Sequence, residues 1–409
     1  MIRRNIQARV EAALADTPVV LLSGARQTGK TTLVQALANT RGAAYFTFDD
    51  VATLASARGD PTGFIRDVTG PVVLDEIQKV PELLPAIKLA VDRNRKPGRF
   101  LLTGSANVMM LPRLSESLAG RMEVIPLFPF SSGEIESVSE TFIRRLFTGD
   151  VTKGKQKKAN FTIVERVARG GYPQAVERED PSRRSAWFAS YISTLLQRDV
   201  RDLARVDALH ALPNLLKLLA ARTGGLFNLS DVGRDARLPH STLTRYLVLL
   251  EALFLIHRLP AWSVNLGKRL VKAPKLHIAD SGLACHLMGA DGARFQQDPS
   301  LFGRIVESFV AGELLKQASW SDAPVTLYHF RTSAGVEVDL IIEQADGSIA
   351  SVEVKTSATV GAGDFTGLQV LRDQLGRRFR AGVVLYRGEK RLPFGDKLWA
   401  LPIENLWSS

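Results

Sequence analysis

The stretch from Pro18 to Thr32, PVVLLSGARQTGKTT, constrains this chain most, because an apolar run, a glycine-bearing turn and a helix start follow one another without a break. It contains the Walker A pattern G-x-x-x-x-G-K-T in full, from Gly24 to Thr31. Gly24 and Gly29 let the backbone curl so that successive N–H groups point inward at phosphate oxygens. Ala25, Arg26, Gln27, Thr28 and Thr32 complete the loop and the first turn of the helix. Lys30 supplies a mobile positive charge to the β- and γ-phosphates, and the Thr31 hydroxyl is a ligand for Mg²⁺. The helix that begins here adds its N-terminal dipole to the anion site. The alternative is a chance glycine loop, and the flanking strand and helix weigh against it. Such a stretch is expected to bind ATP with Mg²⁺.

A second element supports that expectation. Val72, Val73 and Leu74 form an apolar run that delivers Asp75 and Glu76, about fifty residues beyond Gly24, as a Walker B strand would. Asp75 is expected to hold the metal and Glu76 to orient or deprotonate the attacking water. Three further features fit the same frame. YFTFDD at 45–50 reads as a strand ending in two acids. RFLLTGSAN at 99–107 reads as a strand ending in Thr103 and Ser105, either of which is a candidate to touch the γ-phosphate or the water. Arg121 lies between a helix and a fifth strand, where it either senses the γ-phosphate in its own or a neighbouring subunit or pairs with an acid. Five strands alternating with helices call for a parallel sheet.

At 409 residues the chain is long enough for two to four domains. No apolar run approaches a membrane span and the basic amphipathic N-terminus lacks a signal-peptide core, so a cytoplasmic location without membrane contact is expected. One cysteine, Cys285, excludes an intrachain disulfide framework, and its plain reading is a small buried hydrophobe. The net charge of +11 is not confined to a tail: residues 141–205 hold 14 Lys or Arg against 7 Asp or Glu, and KGKQKK at 153–158 is the densest run. Such a field makes nucleic acid, DNA above all, a possible partner, with a solvated basic surface as the alternative.

GARQTGKTTL, VVLDEIQ, LLTGSAN and LAGRMEVIPL resemble the motifs of a family of prokaryotic AAA-type ATPases that carry a second, poorly characterised C-terminal domain. The resemblance implies that residues 129–208, helical by spacing, are a lid packed over the nucleotide, with GGYP at 170–173 and YISTLLQRDV at 191–200 as family signatures. Residues 209–274 read as three helices and a hairpin, the shape of a winged helix. Its first short helix is capped near Ser230, and its second, capped by His240 or Ser241, would present His240, Thr242, Thr244 and Arg245 to a major groove.

The last segment, 275–409, opens on KLHIADSGL, similar to the family's strand and Asp-x-Gly-Leu turn, and carries an ordered set of charges. Glu307 lies on a helix, Asp339 in a strand, and Glu353 and Lys355 two apart in the next, on one face by period-two geometry. This resembles the PD-(D/E)xK nuclease core, in which Glu307, Asp339 and Glu353 would hold Mg²⁺ and Lys355 would position or activate water. An alternating strand with its charges outward is the plain alternative.

The fold class expected is therefore α/β: a P-loop AAA-type sandwich (1–128), a helical lid (129–208), a winged-helix module (209–274) and a restriction-endonuclease-like domain (275–409). The function expected is Mg²⁺-dependent ATP hydrolysis, coupled either to a nuclease-like action on nucleic acid or to a regulatory switch with a non-catalytic C-terminal scaffold. A protein partner, or a ring of identical subunits with Arg121 acting in trans, is a further possibility.

Overall fold

A computed structural model describes residues 2–105, 118–154, 161–199, 211–265, 267, 269 and 272–408. Most of the KGKQKK run, and Ser115 to Ser117, lie outside the described residues. The chain divides into two compact units. One comprises Arg4–Phe130 with Val248–Leu255, and the other Met1–Arg3, Ser131–Leu247 and Ile256–Ser409. No described helix is long and apolar enough to cross a membrane.

The first unit is built on β1 (Val19–Ser23), β2 (Ala44–Thr47), β3 (Val72–Asp75), β4 (Phe100–Gly104) and β5 (Met122–Pro126), in the order β2-β3-β4-β1-β5. All pairings are parallel, with Val19 opposite Phe100 on one side and Met122 on the other. Alternate side chains serve opposite faces. Val19, Leu21, Val72, Leu74, Phe100 and Leu102 pack with Ile65, Leu83, Ile87 and Val91, while Val20, Leu22, Val73 and Leu101 are buried on the other face. β2 stops earlier than the sequence suggests. Asp50 is the N-cap of the helix Val51–Gly59, accepting from Thr53 N at 2.8 Å.

The second unit holds a mixed sheet of β9 (Val325–Arg331), β10 (Glu337–Gln344), β11 (Ile349–Val354), β12 (Phe379–Tyr386), β13 (Leu392–Pro393) and β14 (Leu398–Pro402), in the order β13-β14-β12-β11-β10-β9. β9, β10 and β11 run antiparallel, and β11, β12 and β14 parallel. The helix Thr366–Leu375 is the crossover that a parallel β11–β12 pair requires. It covers one face with Trp262, Phe365 and Phe379. The helix Pro299–Trp320 covers the other through Ile305, Val306, Phe309 and Val310.

That second face also receives the helices Phe142–Thr148 and Ile163–Arg169. Phe142, Ile143, Leu146, Ile163 and Val167 share a core with Ile305, Phe309 and Trp407. These two helices, from the segment expected to be a lid, thus share a core with the second unit's sheet. Helical periodicity announces a buried face without naming its partner. Two of the signature stretches meet for packing reasons. The backbone N of Gly171 donates to Asp280 Oδ2 at 2.7 Å, and a Cβ on Gly170, at φ +69°, would fall 2.3 Å from Asp280 Oδ1.

A small antiparallel sheet, order β6-β8-β7, joins β6 (Gly225–Leu226), β7 (Ile256–Leu259) and β8 (Lys275–Ile278). The helices Leu212–Ala221, Leu229–Ala236 and His240–Ala252 are interleaved with it in sequence. Asn228, not Ser230, caps the second of these, and the third already begins at His240.

Arg166 shows how tightly the helix Ile163–Arg169 is held. Its guanidinium pairs with Glu136, the two side chains being 4% and 5% exposed, and lies 4.3 Å over the Trp407 ring. Arg166→Ala leaves a buried carboxylate without its cation, so urea unfolding is expected to show a loss of about 3–5 kcal/mol. A loss below about 1 kcal/mol would mean that Glu136 is solvated once its partner is gone.

Candidate active site

Parallel strands end on one edge of the first sheet, and β1, β3 and β4 deliver their residues there. After Ser23 the chain turns at Gly24, where a Cβ would sit 2.2 Å from Leu127 O, so only glycine fits. Gly29 takes φ +90° before the helix Lys30–Arg41 starts, and Gln27 takes φ +61°. The Lys30 ammonium, 4% exposed, donates to Gly24 O at 2.9 Å and Ala25 O at 2.8 Å. Arg4 braces the loop, its guanidinium donating to Thr28 O at 2.7 Å and Phe128 O at 2.6 Å. Side chains thus take up carbonyls at Gly24, Ala25 and Thr28. Thr32 is exposed on the helix.

Asp75, 1% exposed, is held by three hydroxyls. Thr103 donates to Oδ1 at 2.5 Å, while Thr31 and Tyr45 donate to Oδ2 at 3.0 and 2.9 Å. Burial, then Asp75 itself, pushes the Tyr45 phenol up to about 12. A carboxylate and a hydroxyl so placed suit Mg²⁺, which takes few protein ligands and shares its other positions with phosphate oxygens and water.

Glu76 stands in the left-handed region at φ +62°, an unusual backbone for this residue type, with its N–H donating to Thr103 Oγ1 at 2.9 Å. The Gln78 side-chain amide donates to the Glu76 carboxylate and, at 2.8 Å, to Ser105 Oγ. Thr103 therefore faces the acidic pair, and Ser105 reaches it through Gln78.

Arg121 is the exception. Met122 lies opposite Val19, the first residue of β1, so Arg121 sits at the other edge of the sheet, about 16 Å of strand rise from the loop. There it pairs with Asp92 at 2.5 Å. This corrects the expectation that it senses the γ-phosphate of its own subunit. The cause is strand direction: a residue preceding a parallel strand is delivered to the edge opposite the site.

The second unit brings Glu307, Asp339, Glu353 and Lys355 together, with an addition. Lys275 Nζ lies 2.7 Å from Glu307, 2.7 Å from Glu337 and 3.0 Å from Asp339. Lys355 Nζ donates to Glu353 at 2.9 Å, and Asp339 Oδ2 accepts from Val354 N at 3.0 Å. Burial, reinforced by Asp339, pushes the Glu307 and Glu353 carboxyls up. Burial works to lower the Lys275 ammonium, but Asp339 and Glu307 outweigh it and hold it above its ordinary value. Among the described residues no group of three or more His, Cys, Asp or Glu is arranged to hold a metal ion. Of the acids expected to hold a metal, Glu307 and Asp339 meet the Lys275 ammonium and Glu353 meets Lys355.

Arg4, Tyr45, Gln78, Lys275 and Glu337 were not anticipated as parts of these sites. Two had a signal. Lys275 is a charge opening the buried strand KLHI, and Glu337 lies two before Asp339 on the same face. Arg4 and Tyr45 had none, because their partners Thr28 and Asp75 are distant in sequence.

Comparison with known proteins agrees with the first unit's geometry. Residues 16–136 match the AAA domain family, and residues 160–294 and 302–406 match two domains of unknown function, DUF8612 and DUF4143. Among solved structures, the Walker-type ATPase PABY2304 of Pyrococcus abyssi aligns at 18% identity over 70% of this chain and 96% of its own, with a TM-score of 0.43. The RuvB Holliday junction branch migration motor of Thermotoga maritima aligns at 19% over 63% and 89%, with a TM-score of 0.30. Neither superposition is close enough to bear on function. An uncharacterized protein of Haemophilus influenzae is 25% identical over 54% of each chain. The uncharacterized proteins Rv2008c of Mycobacterium tuberculosis and Mb2031c of Mycobacterium bovis are each 32% identical over 99% of this chain and 84% of their own. With that identity along almost its whole length, the chain belongs to the family of Rv2008c and Mb2031c, and its first unit is a P-loop domain of the AAA ATPase type.

Proposed function

We propose that the protein hydrolyses ATP with Mg²⁺ and uses the nucleotide state to control binding of nucleic acid. The observation that carries the first part is the Thr31–Asp75 pair beside Glu76. Lys30 exchanges its bonds to Gly24 O and Ala25 O for β- and γ-phosphate oxygens of the nucleotide. Thr31 and Asp75 would hold Mg²⁺, which would supply neutralisation of phosphate charge. Glu76 aligns the attacking water for in-line displacement and takes its proton. Gln78 positions the Glu76 carboxylate, with Ser105 fixing its amide.

The small sheet and its three helices support a winged-helix reading. On the helix His240–Ala252, His240, Thr244 and Arg245 are exposed while Leu243, Tyr246 and Leu247 are buried beneath them. The strand order from β9 to β12, with its helices, supports a PD-(D/E)xK-like reading of the second unit. The ammonium of Lys275 among the acids favours binding over cleavage there, and the switch over the nuclease.

Lys30→Ala is expected to abolish ATP binding in equilibrium dialysis. Glu76→Gln should bind ATP and lose turnover by at least about 100-fold. Wild-type turnover in both would end the assignment of ATP hydrolysis to this site. Gln78→Ala should lower kcat about tenfold and leave KM for ATP nearly unchanged, since it acts only through Glu76. An equal rise in KM would make Gln78 a binding residue instead. For nucleic acid, Arg245→Ala should weaken duplex DNA binding and reduce its salt slope by about one. Incubation with plasmid and single strands in Mg²⁺ or Mn²⁺ should yield no cleavage; product that disappears in Asp339→Ala would replace the switch with a nuclease.

A further inference from the structure

We propose that Lys275 is the resident cation of the second unit's acidic pocket, filling the place that a divalent metal ion would need and keeping the pocket metal-free. The ammonium has three protons and finds three carboxylate oxygens: Glu307 at 2.7 Å, Glu337 at 2.7 Å and Asp339 at 3.0 Å. Its side chain is 2% exposed, and its donors are therefore matched without water.

The neighbouring oxygens are also engaged. Asp339 Oδ2 accepts from Val354 N at 3.0 Å, Glu353 Oε1 from Lys355 at 2.9 Å, and Glu353 Oε2 from Asp339 N at 3.4 Å. Nor is Lys275 on a loose tether. It opens the central strand of the small sheet, opposite Leu226 on one side and Leu259 on the other. A metal ion from solution competes with a cation whose backbone is fixed beside the acids, so its local concentration does not fall on dilution. A divalent ion also repels an ammonium at this distance, and both cannot share the three acids.

Two consequences follow. The pocket stabilises the junction of β8, β10 and the helix Pro299–Trp320 without a cofactor. Removing the ammonium converts the same acids into a cation site, because buried carboxylates need a counter-charge. Neither consequence depends on what the unit binds or on ATP hydrolysis.

The test is titration of Mn²⁺ alone into the full chain without nucleotide, following free Mn²⁺ by electron paramagnetic resonance. Comparison with Asp339→Asn separates this pocket from the Thr31–Asp75 pair. Wild type is expected to show no Mn²⁺ binding that Asp339→Asn removes. Lys275→Ala should gain one ion, bound at least about tenfold more tightly than wild type binds any, and Lys275→Ala with Asp339→Asn should lose it. In thermal melts Lys275→Ala should be less stable in chelator and recover in Mn²⁺, with wild type the same in both. Asp339-dependent Mn²⁺ binding by wild type overturns the proposal, as does a folded Lys275→Ala that gains no ion. Lys275→Met, which keeps the stem's packing, is the second variant. Should neither fold even with Mn²⁺, the wild-type titration alone decides.

Discussion

Asp75 is the interaction on which the nucleotide site depends. A carboxylate 1% exposed needs its lone pairs met, and three hydroxyls from three elements meet them: Thr31 from the phosphate-loop helix, Tyr45 from β2 and Thr103 from β4. The bonds tie loop and strands into one edge. They also leave the negative charge in place, because a hydroxyl satisfies an acceptor without neutralising it. An acid so held remains an attractive ligand for Mg²⁺.

The second unit treats the same chemistry in the opposite way. Asp339, Glu307 and Glu337 are met by the ammonium of Lys275, which bonds one oxygen of each and offsets part of their charge. Both sites gather acids on or beside buried strands, and both would read alike as acid clusters. What separates them is whether the partners are neutral or cationic.

Much of this was legible in advance. The phosphate loop and the acidic strand end are local patterns, in which residue type and short spacing force geometry: Gly29 takes φ +90° just before the helix, and Asp75 closes the apolar run Val72–Leu74. The five-stranded parallel sheet followed from alternation of strands with helices. The charged residues of the last domain were also legible as a set, since Glu353 and Lys355 two apart must share a face.

Other readings failed where they needed a partner's identity. Arg121 precedes a strand whose direction puts it against Asp92 at the far edge. The helices Phe142–Thr148 and Ile163–Arg169 display apolar stripes, and nothing in those stripes foretold that Ile305 and Trp407 would share their core. Lys275 and Asp339 are 64 residues apart and meet only through the juxtaposition of two sheets. The sequence by itself determined the phosphate loop, its acid and the element types, because backbone sterics and side-chain period act over a few residues. Tertiary structure alone decided which cation each buried acid received, because charge pairing acts through space and its cost is set by burial.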